Sequence, residues 1–250
     1  MGIGDEIMAT AQARRMQQKD PRKVQVVDRF GRPRFHPIWE GNPRIARSGE
    51  SGDFQLLMNA PGCRPYIVAE HGGRWQWRDF DCEPGEIYLT SYEKRAYAGR
   101  PPVIVIEPTL KISATRNKDW GLSNWRRFIM LAGEAGYALS QLRPRGTRCM
   151  DRVRSVLTPD FRSACAALMH AKAYVGHEGA LHHAAAALGI PAVVIFGGFI
   201  SPAQTGYKMH RNLFIGGEPC GSRLPCQHCA AAMAAITPER VLEELKGITG

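Results

Sequence analysis

The residue types best suited to chemistry in this sequence meet in a short turn, Gly-His-Glu-Gly, at residues 176–179. An apolar run precedes the turn, an alanine-rich segment follows it, and a β-branched run occupies residues 192–196. This order predicts a strand, a tight turn, a helix and a second strand. A helix N-terminus presents free backbone N–H groups and the positive end of the helix dipole. The turn therefore predicts a site for an anionic, phosphate-bearing ligand.

Histidines near this turn invite a metal interpretation. His182 and His183 are adjacent in the alanine-rich segment, and His177 lies in the turn itself. Adjacent side chains on a helix point about 100° apart, so His182 and His183 are not expected to share one ion. No Asp-x-Asp pair with metal-binding spacing is evident in the sequence. These patterns favour chemistry that needs neither a metal ion nor a cofactor.

A second group of potential metal ligands lies near the end of the chain. Cys220, Cys226 and Cys229 are spaced Cys-x5-Cys-x2-Cys, with His228 and His210 nearby. Cys-x-x-Cys is half of a zinc site, but a second Cys-x-x-Cys is absent. The sequence favours no metal here and leaves zinc as the alternative.

The turn needs a framework, and the second half of the chain predicts one. Strands are expected at residues 103–107, 137–142, 173–175, 192–196 and 213–216, and helices at 122–135, 159–170 and 238–246, the last two with Thr158 and Thr237 as N-caps. Strands and helices that alternate at this spacing predict a parallel sheet with helices on both faces. Such sheets bind ligands at the carboxyl ends of their strands.

The first half of the chain gives weaker signals. A helix is predicted at residues 7–18, a strand at 23–28, and shorter strands at 54–58, 65–69, 75–80 and 86–90. Trp75 and Trp77 alternate with arginines, a pattern that fits a half-buried strand better than a groove that stacks on bases or sugars. Residues 99–102, Gly-Arg-Pro-Pro, are the best linker, which divides the chain into residues 1–100 and 101–250.

Composition narrows the class of protein. The 250 residues are 44% hydrophobic, enough for a sizeable core, and no apolar run is long enough to cross a bilayer. The seven cysteines lack the dense spacing of a disulfide framework, so we expect a cytoplasmic protein. The net charge of +10 and pI of about 9.5 favour an acidic partner: nucleotide phosphates, nucleic acid or an anionic membrane surface in peripheral contact.

Several short segments together carry a family resemblance. Gly4 and Asp5 form a Gly-Asp pair at the head of a helix, residues 117–120 contain a Lys-x-Trp sequence, and residues 178–188 read Glu-Gly-x-x-His-His followed by alanines. With the closing helix at residues 236–242, these segments resemble glycosyltransferase family 9, the ADP-heptose:lipopolysaccharide heptosyltransferases. Where the family usually has Asp the chain has Glu178, and the following glycine is Gly179, one position early.

The resemblance implies the GT-B fold, in which two Rossmann-like domains face a cleft. Residues 1–100 would form a reduced acceptor-side domain, and residues 101–250 the domain that binds the nucleotide sugar. The implied activity is metal-independent transfer of a sugar from a nucleoside diphosphate sugar, with ADP-heptose favoured. The implied acceptor is a glycan of the lipopolysaccharide type or another anionic molecule.

The resemblance also implies roles for particular residues. Asp5 would be the base that takes a proton from the acceptor hydroxyl, and Lys118 would hold the diphosphate, supported by Lys111 or Arg116 in the same loop. Glu178 would hold sugar or ribose hydroxyls. The complete donor-binding set is Lys118, Gly176, His177, Glu178, Gly179, Ala180 and His183.

Two other functions are weighed against this one. A Rossmann oxidoreductase is disfavoured because no Gly-x-Gly-x-x-Gly follows a strand. The alternative kept open is a protein that binds or glycosylates nucleic acid through its basic N-terminal half.

Overall fold

The structure, a computed structural model, describes residues 2–99, 101–111, 114–144, 146–215 and 217–250. Its helices are α1 (Ile3–Gln17), α2 (Ser91–Ala96), α3 (Leu122–Glu134), α4 (Phe161–Leu168), α5 (Ala180–Ala187), α6 (Pro202–Thr205), α7 (Gln227–Ala235) and α8 (Pro238–Thr249). Its strands are β1 (Val24–Val27), β2 (Gln55–Met58), β3 (Ile67–His71), β4 (Arg74–Trp77), β5 (Ile104–Glu107), β6 (Leu139–Arg143), β7 (Arg154–Leu157), β8 (Ala173–His177), β9 (Ala192–Gly197) and β10 (Arg211–Phe214).

Six parallel strands form the main sheet, in the order β10-β9-β8-β5-β6-β7. The chain enters at β5, moves outward to β7, and then crosses to the other side of β5 with β8 before it moves outward to β10. This is the strand order of doubly wound nucleotide-binding sheets, in which the winding direction reverses once. The reversal lies between β5 and β8. The predicted α/β fold with a parallel sheet is confirmed.

Helices cover both faces of this sheet, because its central strands alternate between two apolar clusters. Ile104 and Ile106 of β5 pack with residues of α3 and α8, including Trp125 and Leu245. Val105 points to the opposite face, in the cluster that contains residues of α1, α4 and α5. Side chains along a strand alternate with a period of two, so each central strand supplies both cores.

The N-terminal part is smaller. In the described part of residues 2–99, β1 and β2 form their own parallel pair, and β3 and β4 form a hairpin. That hairpin turns at Gly72 and Gly73, whose φ values of 55° and 73° suit a two-residue type I′ turn. Helix α1 packs against α5, and Ile7 and Leu181 share one core cluster. The reduced N-terminal region agrees with the expected fold class, whereas the division at residue 100 stays a prediction because Arg100 lies outside the described residues.

Several details of the sequence-based prediction were wrong or missing. Residues 86–90 are not a strand: they lie against α1, where the Thr10 hydroxyl accepts a hydrogen bond from Glu86 N at 2.6 Å. The N-cap of α4 is Asp160, whose side chain accepts a hydrogen bond from Ser163 N at 2.7 Å. Thr158 is not the cap: its N–H donates to Arg143 O and continues the pairing of β7 with β6. Strand β7 and helices α2, α6 and α7 were not predicted at all. Thr237 is the N-cap of α8, as expected.

No helix in the described ranges combines the length and the apolar composition needed to span a membrane.

Candidate active site

Two loops leave the main sheet side by side at the point where its winding reverses. Glu107, the last residue of β5, is paired in register with Gly176 of β8. The loop after β5 carries Lys118, and the loop after β8 carries Glu178. In doubly wound sheets the crevice at this point is the ligand-binding position. The topology thus brings together two residues that the sequence separates by 60 positions.

Lys118 and Glu178 form an ion pair at this crevice. The Lys118 ammonium donates directly to Glu178 Oε2, and the two side chains are only 19% and 6% exposed. The other carboxylate oxygen, Glu178 Oε1, lies 3.6 Å from His183 Nε2. Lys118 Nζ also lies 5.2 Å from the centre of the Phe199 ring, a cation–π distance.

The surroundings of Glu178 keep it ionised. Burial by itself would raise the pKa of Glu178, but the charge of Lys118 and the hydrogen bond from His183 outweigh burial and hold that pKa well below its usual range. An ionised carboxylate only accepts hydrogen bonds. Glu178 is therefore suited to bind hydroxyl groups and unsuited to donate a proton.

The N-terminus of α1 reaches the same crevice through Gly4. A Cβ atom on Gly4 would lie only 2.4 Å from His183 Cδ2, so the absence of a side chain lets the imidazole pack directly on the α1 backbone. His183 is in turn fixed by a 2.8 Å hydrogen bond between its Nδ1 and the Tyr207 hydroxyl. Two segments of the family resemblance, far apart in the sequence, are thus in contact.

Asp5 lies on this helix N-terminus and is buried, with 9% exposure. The Tyr66 hydroxyl donates to Asp5 Oδ1 at 2.5 Å, and the Gly2 N–H donates to Oδ2 at 3.1 Å. Arg64 Nε lies 3.2 Å from Oδ2 as an ion pair without hydrogen-bond geometry. A carboxylate has about four lone-pair positions, so these partners orient Asp5 without filling it.

The two proposed supporting cations lie in different places. A Cβ on Gly2 would be 4.0 Å from Lys111 Nζ, so Lys111 is beside the N-terminus of α1. Arg116 is 76% exposed and pairs with Asp119 at 3.2 Å. The structure therefore brings Lys111 toward Asp5 and turns the charge of Arg116 to solvent, and support of the phosphates by either residue stays a prediction.

The predicted turn is shorter than the sequence indicated. Gly176 and His177 belong to β8, and a Cβ on Gly176 would be 2.0 Å from the Tyr174 hydroxyl. Gly179 is the N-cap of α5, and Ala180 is its first residue, so their backbone N–H groups lie at the helix start as predicted. Gly176 thus makes room for the Tyr174 ring in the strand instead of shaping the turn.

His177 has a different position from the one expected of a ligand contact. Its side chain is buried, its Nε2 accepts from Trp120 N at 3.1 Å, and its ring packs edge-on against Trp125 at 5.5 Å. Burial lowers the pKa of His177 to about 4, so the imidazole is neutral. The His177 side chain thus fixes the loop that carries Lys118, and donor binding by the turn at His177 stays a prediction.

A cluster of buried rings supports the crevice from behind. His182 packs against His183 at 4.8 Å between ring centres, and also against Tyr207 and His210. The expectation that His182 and His183 diverge too far to share an ion is corrected by this geometry, since Glu178, His182 and His183 offer ligand atoms within 4.8 Å of one another. Lys118 already forms an ion pair with the Glu178 carboxylate, however, and the positive charge of Lys118 opposes the binding of a metal cation there.

Sequence reasoning missed three residues of this site. Arg64, Tyr66 and Tyr207 contact Asp5 or His183 from segments outside every recognised motif. Tyr207 lies outside the predicted elements, Arg64 directly precedes the strand predicted at residues 65–69, and Tyr66 lies within that strand. Only the packing of that strand beside α1 could have identified them.

The site can therefore perform two tasks at once. On one side, an oriented carboxylate, Asp5, is available to take a proton. On the other, Lys118 and the start of α5 offer positive charge and free N–H groups to an anion, and Lys111 adds a cation beside the N-terminus of α1. An acid–base group facing an anion-binding helix start suits group transfer with an anionic leaving group.

Comparison with solved structures finds the same fold. The chain matches the iron-containing dodecameric glycosyltransferase TibC of enterotoxigenic E. coli with a TM-score of 0.67 and 14% identity, over 99% of this chain and 73% of that one. It matches a family 9 glycosyl transferase from Veillonella parvula with a TM-score of 0.65 and 11% identity, over 100% of this chain and 94% of that one. The GT-B-like fold is therefore established for this chain.

A third match is partial. E. coli ADP-heptose lps heptosyltransferase II is 21% identical with a TM-score of 0.50, over 66% of this chain and 53% of the enzyme. The chain thus spans about half the length of that enzyme. No protein-family model matches the chain, and no curated protein does.

Proposed function

We propose that this protein is a glycosyltransferase that moves a sugar from a nucleoside diphosphate sugar to an acceptor hydroxyl. The observation that carries the proposal is the contact between two helix starts in one crevice, Asp5 on α1 and the Lys118–Glu178–His183 group at α5. The GT-B-like fold shared with known glycosyltransferases supports it.

In the proposed reaction Asp5 takes the proton of the acceptor hydroxyl, and the hydroxyl oxygen bonds to the anomeric carbon of the sugar. The bond from that carbon to the diphosphate oxygen breaks, and its electron pair leaves with the diphosphate. Lys118 and Lys111 neutralise the charge that develops there, together with the N–H groups at Gly179 and Ala180. Glu178, which is ionised, accepts hydrogen bonds from donor hydroxyls.

For this exchange Lys118 must shift from Glu178 toward the diphosphate. A lysine side chain is flexible and carries a compact charge, so it can follow negative charge as it forms. While Lys118 is displaced, His183 remains beside Glu178 at 3.6 Å and is itself held by Tyr207. The ion pair is thus a resting position for the cation that the leaving group requires.

We further propose ADP-heptose as the donor and an anionic glycan as the acceptor. The name of E. coli heptosyltransferase II gives ADP-heptose as its donor, and the resemblance in residues 4–5, 117–120 and 178–188 points to the same class. The acceptor side includes Arg64 beside Asp5, a cation suited to a phosphorylated or carboxylated sugar. Transfer is proposed to need no added Mg²⁺ or Mn²⁺, because lysines serve the diphosphate.

The N-terminal arginines favour this function over nucleic-acid binding. Much of the basic N-terminal charge is neutralised within the fold by carboxylates. The paired arginines include Arg14, Arg15, Arg22, Arg34 and Arg44. Arginines held by acidic partners are less available to phosphates of a polynucleotide.

The donor is tested by thermal unfolding with ADP-heptose and with UDP-, GDP- and TDP-sugars. A specific donor stabilises the folded form by mass action, about 2.7 kcal/mol when its concentration is 100 times Kd. We expect the largest rise in Tm with the ADP sugar. No rise with any of the four would contradict the proposal, and a rise only with polynucleotide would favour the alternative.

The chemistry is tested by release of nucleoside diphosphate in the presence of an acceptor glycan. Asp5→Asn should lower turnover by roughly 10²- to 10⁴-fold, the usual contribution of a general base, while the donor still raises Tm. Arg116→Gln, in the same loop as Lys118 but turned to solvent, is the matched control and should keep full turnover. Unchanged turnover in Asp5→Asn would refute the base assignment alone.

A further inference from the structure

Three cysteines from two segments meet beside the loop that carries Lys118. Cys220 Sγ lies 3.0 Å from Cys229 Sγ and 3.6 Å from Cys226 Sγ. His228 Nδ1 lies 3.9 Å from Cys229 Sγ, and one ligand atom from each of the four residues falls within 4.8 Å of the others. We call Cys220, Cys226, His228 and Cys229 the cysteine cluster.

These separations suit one tetrahedral ion. Arms of about 2.3 Å from a metal to each thiolate place neighbouring sulfurs about 3.8 Å apart. The Cys220–Cys226 distance of 3.6 Å is close to this value, and the Cys220–Cys229 distance of 3.0 Å is shorter. Three sulfurs cannot all be joined by one disulfide, whereas one metal ion uses all three. Thiolates with one imidazole form the Cys3His ligand set of tetrahedral zinc sites, and thiolate-rich tetrahedral sites also hold iron.

The local backbone is arranged to support thiolates. Cys226 is the N-cap of α7 and Cys229 lies in its first turn, so the Cys-x-x-Cys spacing places both sulfurs on the same side of the helix start. The Ser222 N–H donates to Cys220 Sγ at 3.4 Å, a contact of the kind that orients metal-bound thiolates.

His228 reaches the cluster because its neighbour lacks a side chain. A Cβ on Gly198 would lie 2.8 Å from His228 Cε1 and 3.1 Å from its Nδ1. The same Gly198 accepts the hydrogen bond of Cys220 N at 2.9 Å through its carbonyl. Gly198, which directly follows β9, therefore contacts both His228 and Cys220 of the cysteine cluster.

We propose that the cysteine cluster binds one thiophilic transition-metal ion, zinc or iron, through the three thiolates and His228 Nδ1. The three thiol protons pass to solvent when the ion binds. The ion holds together the segment around Cys220 and the start of α7. The proposal does not depend on glycosyl transfer.

The ion would also fix the loop that carries Lys118. Asn117, next to Lys118 in the chain, donates to Ser222 O and Leu224 O at 2.7 Å each and accepts from Cys226 N at 3.0 Å. All three partners lie in the segment between Cys220 and Cys226 or at its end. A metal ion that fixes the cysteine cluster would therefore also fix Asn117 through these hydrogen bonds, and with it the neighbouring Lys118.

The same segment is attached to the N-terminal region. Trp75 N donates to Gly221 O at 3.0 Å, and Arg223 N donates to Gly73 O at 2.9 Å, so the segment runs along β4. A Cβ on Gly221 would lie 2.1 Å from Trp75 O, and its φ of 62° also favours glycine. A metal ion here would join the hairpin β3–β4 to the Lys118 loop.

The first experiment measures metal content of the full chain purified without chelator. Inductively coupled plasma mass spectrometry should find one equivalent of zinc or iron per chain. Cys226→Ser and Cys229→Ser should lose that equivalent, whereas Cys63→Ser, an exposed cysteine outside the cluster, should keep it. Metal at equally low levels in wild type and Cys226→Ser, with no uptake of added zinc, would overturn the proposal.

A second measurement uses the wild-type chain only, so it does not depend on variants that fail to fold. Cobalt(II) added to the chelator-treated protein should produce the visible absorption of tetrahedral thiolate coordination, and zinc should abolish it. The alternative to a metal ion is a disulfide between Cys220 and either Cys226 or Cys229. A mass lower by two hydrogens under non-reducing conditions, mapped to one of these pairs, would show that disulfide and overturn the proposed metal site.

Hydrogen exchange tests the link to the Lys118 loop. Removal of the metal should raise exchange in peptides that cover residues 114–120 and 220–229, while peptides from α3 should not change. Increased exchange confined to residues 220–229 would refute the link and leave the metal site in place. Because this readout needs no substrate, its failure is distinguishable from failure of the proposed glycosyl transfer.

Discussion

The imidazole of His183 lies where a side chain on Gly4 would have to be, with Cδ2 only 2.4 Å from that Cβ position. Because Gly4 precedes Asp5, and His183 adjoins Glu178, this one contact sets the separation between the proposed base and the proposed donor site. The packing of α1 on α5 is therefore part of the site and not only of the core.

Gly4→Ala should force α1 and α5 apart. Overpacking of a tight contact typically destabilises a protein by about 1–3 kcal/mol, and here the neighbour is a ring held by Tyr207. We expect a loss of that size in urea unfolding, together with a weaker donor-induced rise in Tm.

Gly133→Ala is the matched control for this substitution. Gly133 is also a helical glycine, in α3, but a Cβ there meets nothing within 4 Å. Alanine should raise stability by roughly 0.5–1 kcal/mol, because glycine loses more chain entropy on folding. Equal losses for Gly4→Ala and Gly133→Ala would show that the contact with His183 has no special role.

Lys118→Met should cost more stability than its position in a loop suggests. It leaves the carboxylate of Glu178 buried without its cation, and breaking such a pair costs roughly 3–5 kcal/mol at full burial. Because Lys118 is 19% exposed, we expect about 3 kcal/mol in urea unfolding at pH 7.

Glu178→Gln in the Lys118→Met background should restore much of this loss, because it removes the uncompensated charge. Arg116→Gln should change stability by less than about 0.5 kcal/mol, since exposed pairs contribute little. A double variant no more stable than Lys118→Met would contradict the assignment of the loss to buried charge.

The lowered pKa of His177 predicts that the free energy of unfolding decreases in mild acid. Its pKa is about 4 in the folded protein and about 6.5 when unfolded, so between these values the unfolded chain binds more protons and stability falls as pH falls. From pH 7.5 to pH 5 this single group should account for about 2 kcal/mol.

His177→Gln keeps an acceptor for Trp120 N but cannot titrate. Compared by urea unfolding at pH 7.5 and pH 5, the variant should lose about 2 kcal/mol less than wild type. The difference between the two proteins cancels the contribution of other buried groups, such as His210. Parallel pH profiles would mean that His177 is accessible to protons in the folded state.

Asn117→Asp should disrupt the Lys118 loop. The amide of Asn117 donates to two carbonyl oxygens, and a carboxylate would instead face both of them without a proton to share. A buried polar group without its partner typically costs about 1–3 kcal/mol, and more if charged. Asn124→Asp, where one carbonyl is involved, is the milder control in thermal unfolding.

Sequence alone determined the parts of this protein that depend on local patterns. The apolar runs of β5, β8 and β9 are buried on both faces, and such runs read as strands of a parallel sheet whatever the rest of the chain does. Thr237 and Pro238 likewise mark a helix start by local hydrogen bonding. Local patterns of this kind also identified the turn at Glu178, whereas the family resemblance singled out Asp5 and Lys118.

Tertiary structure decided which of these residues meet. Arg64 and Tyr66 reach Asp5 across about sixty residues of chain, and Tyr207 reaches His183 from a loop beyond β9. Tertiary packing also directs the His177 ring toward Trp125 and the Arg116 side chain toward solvent. Side-chain direction at a loop or strand end depends on which neighbours fill the adjacent space, and that is set by packing between segments far apart in sequence.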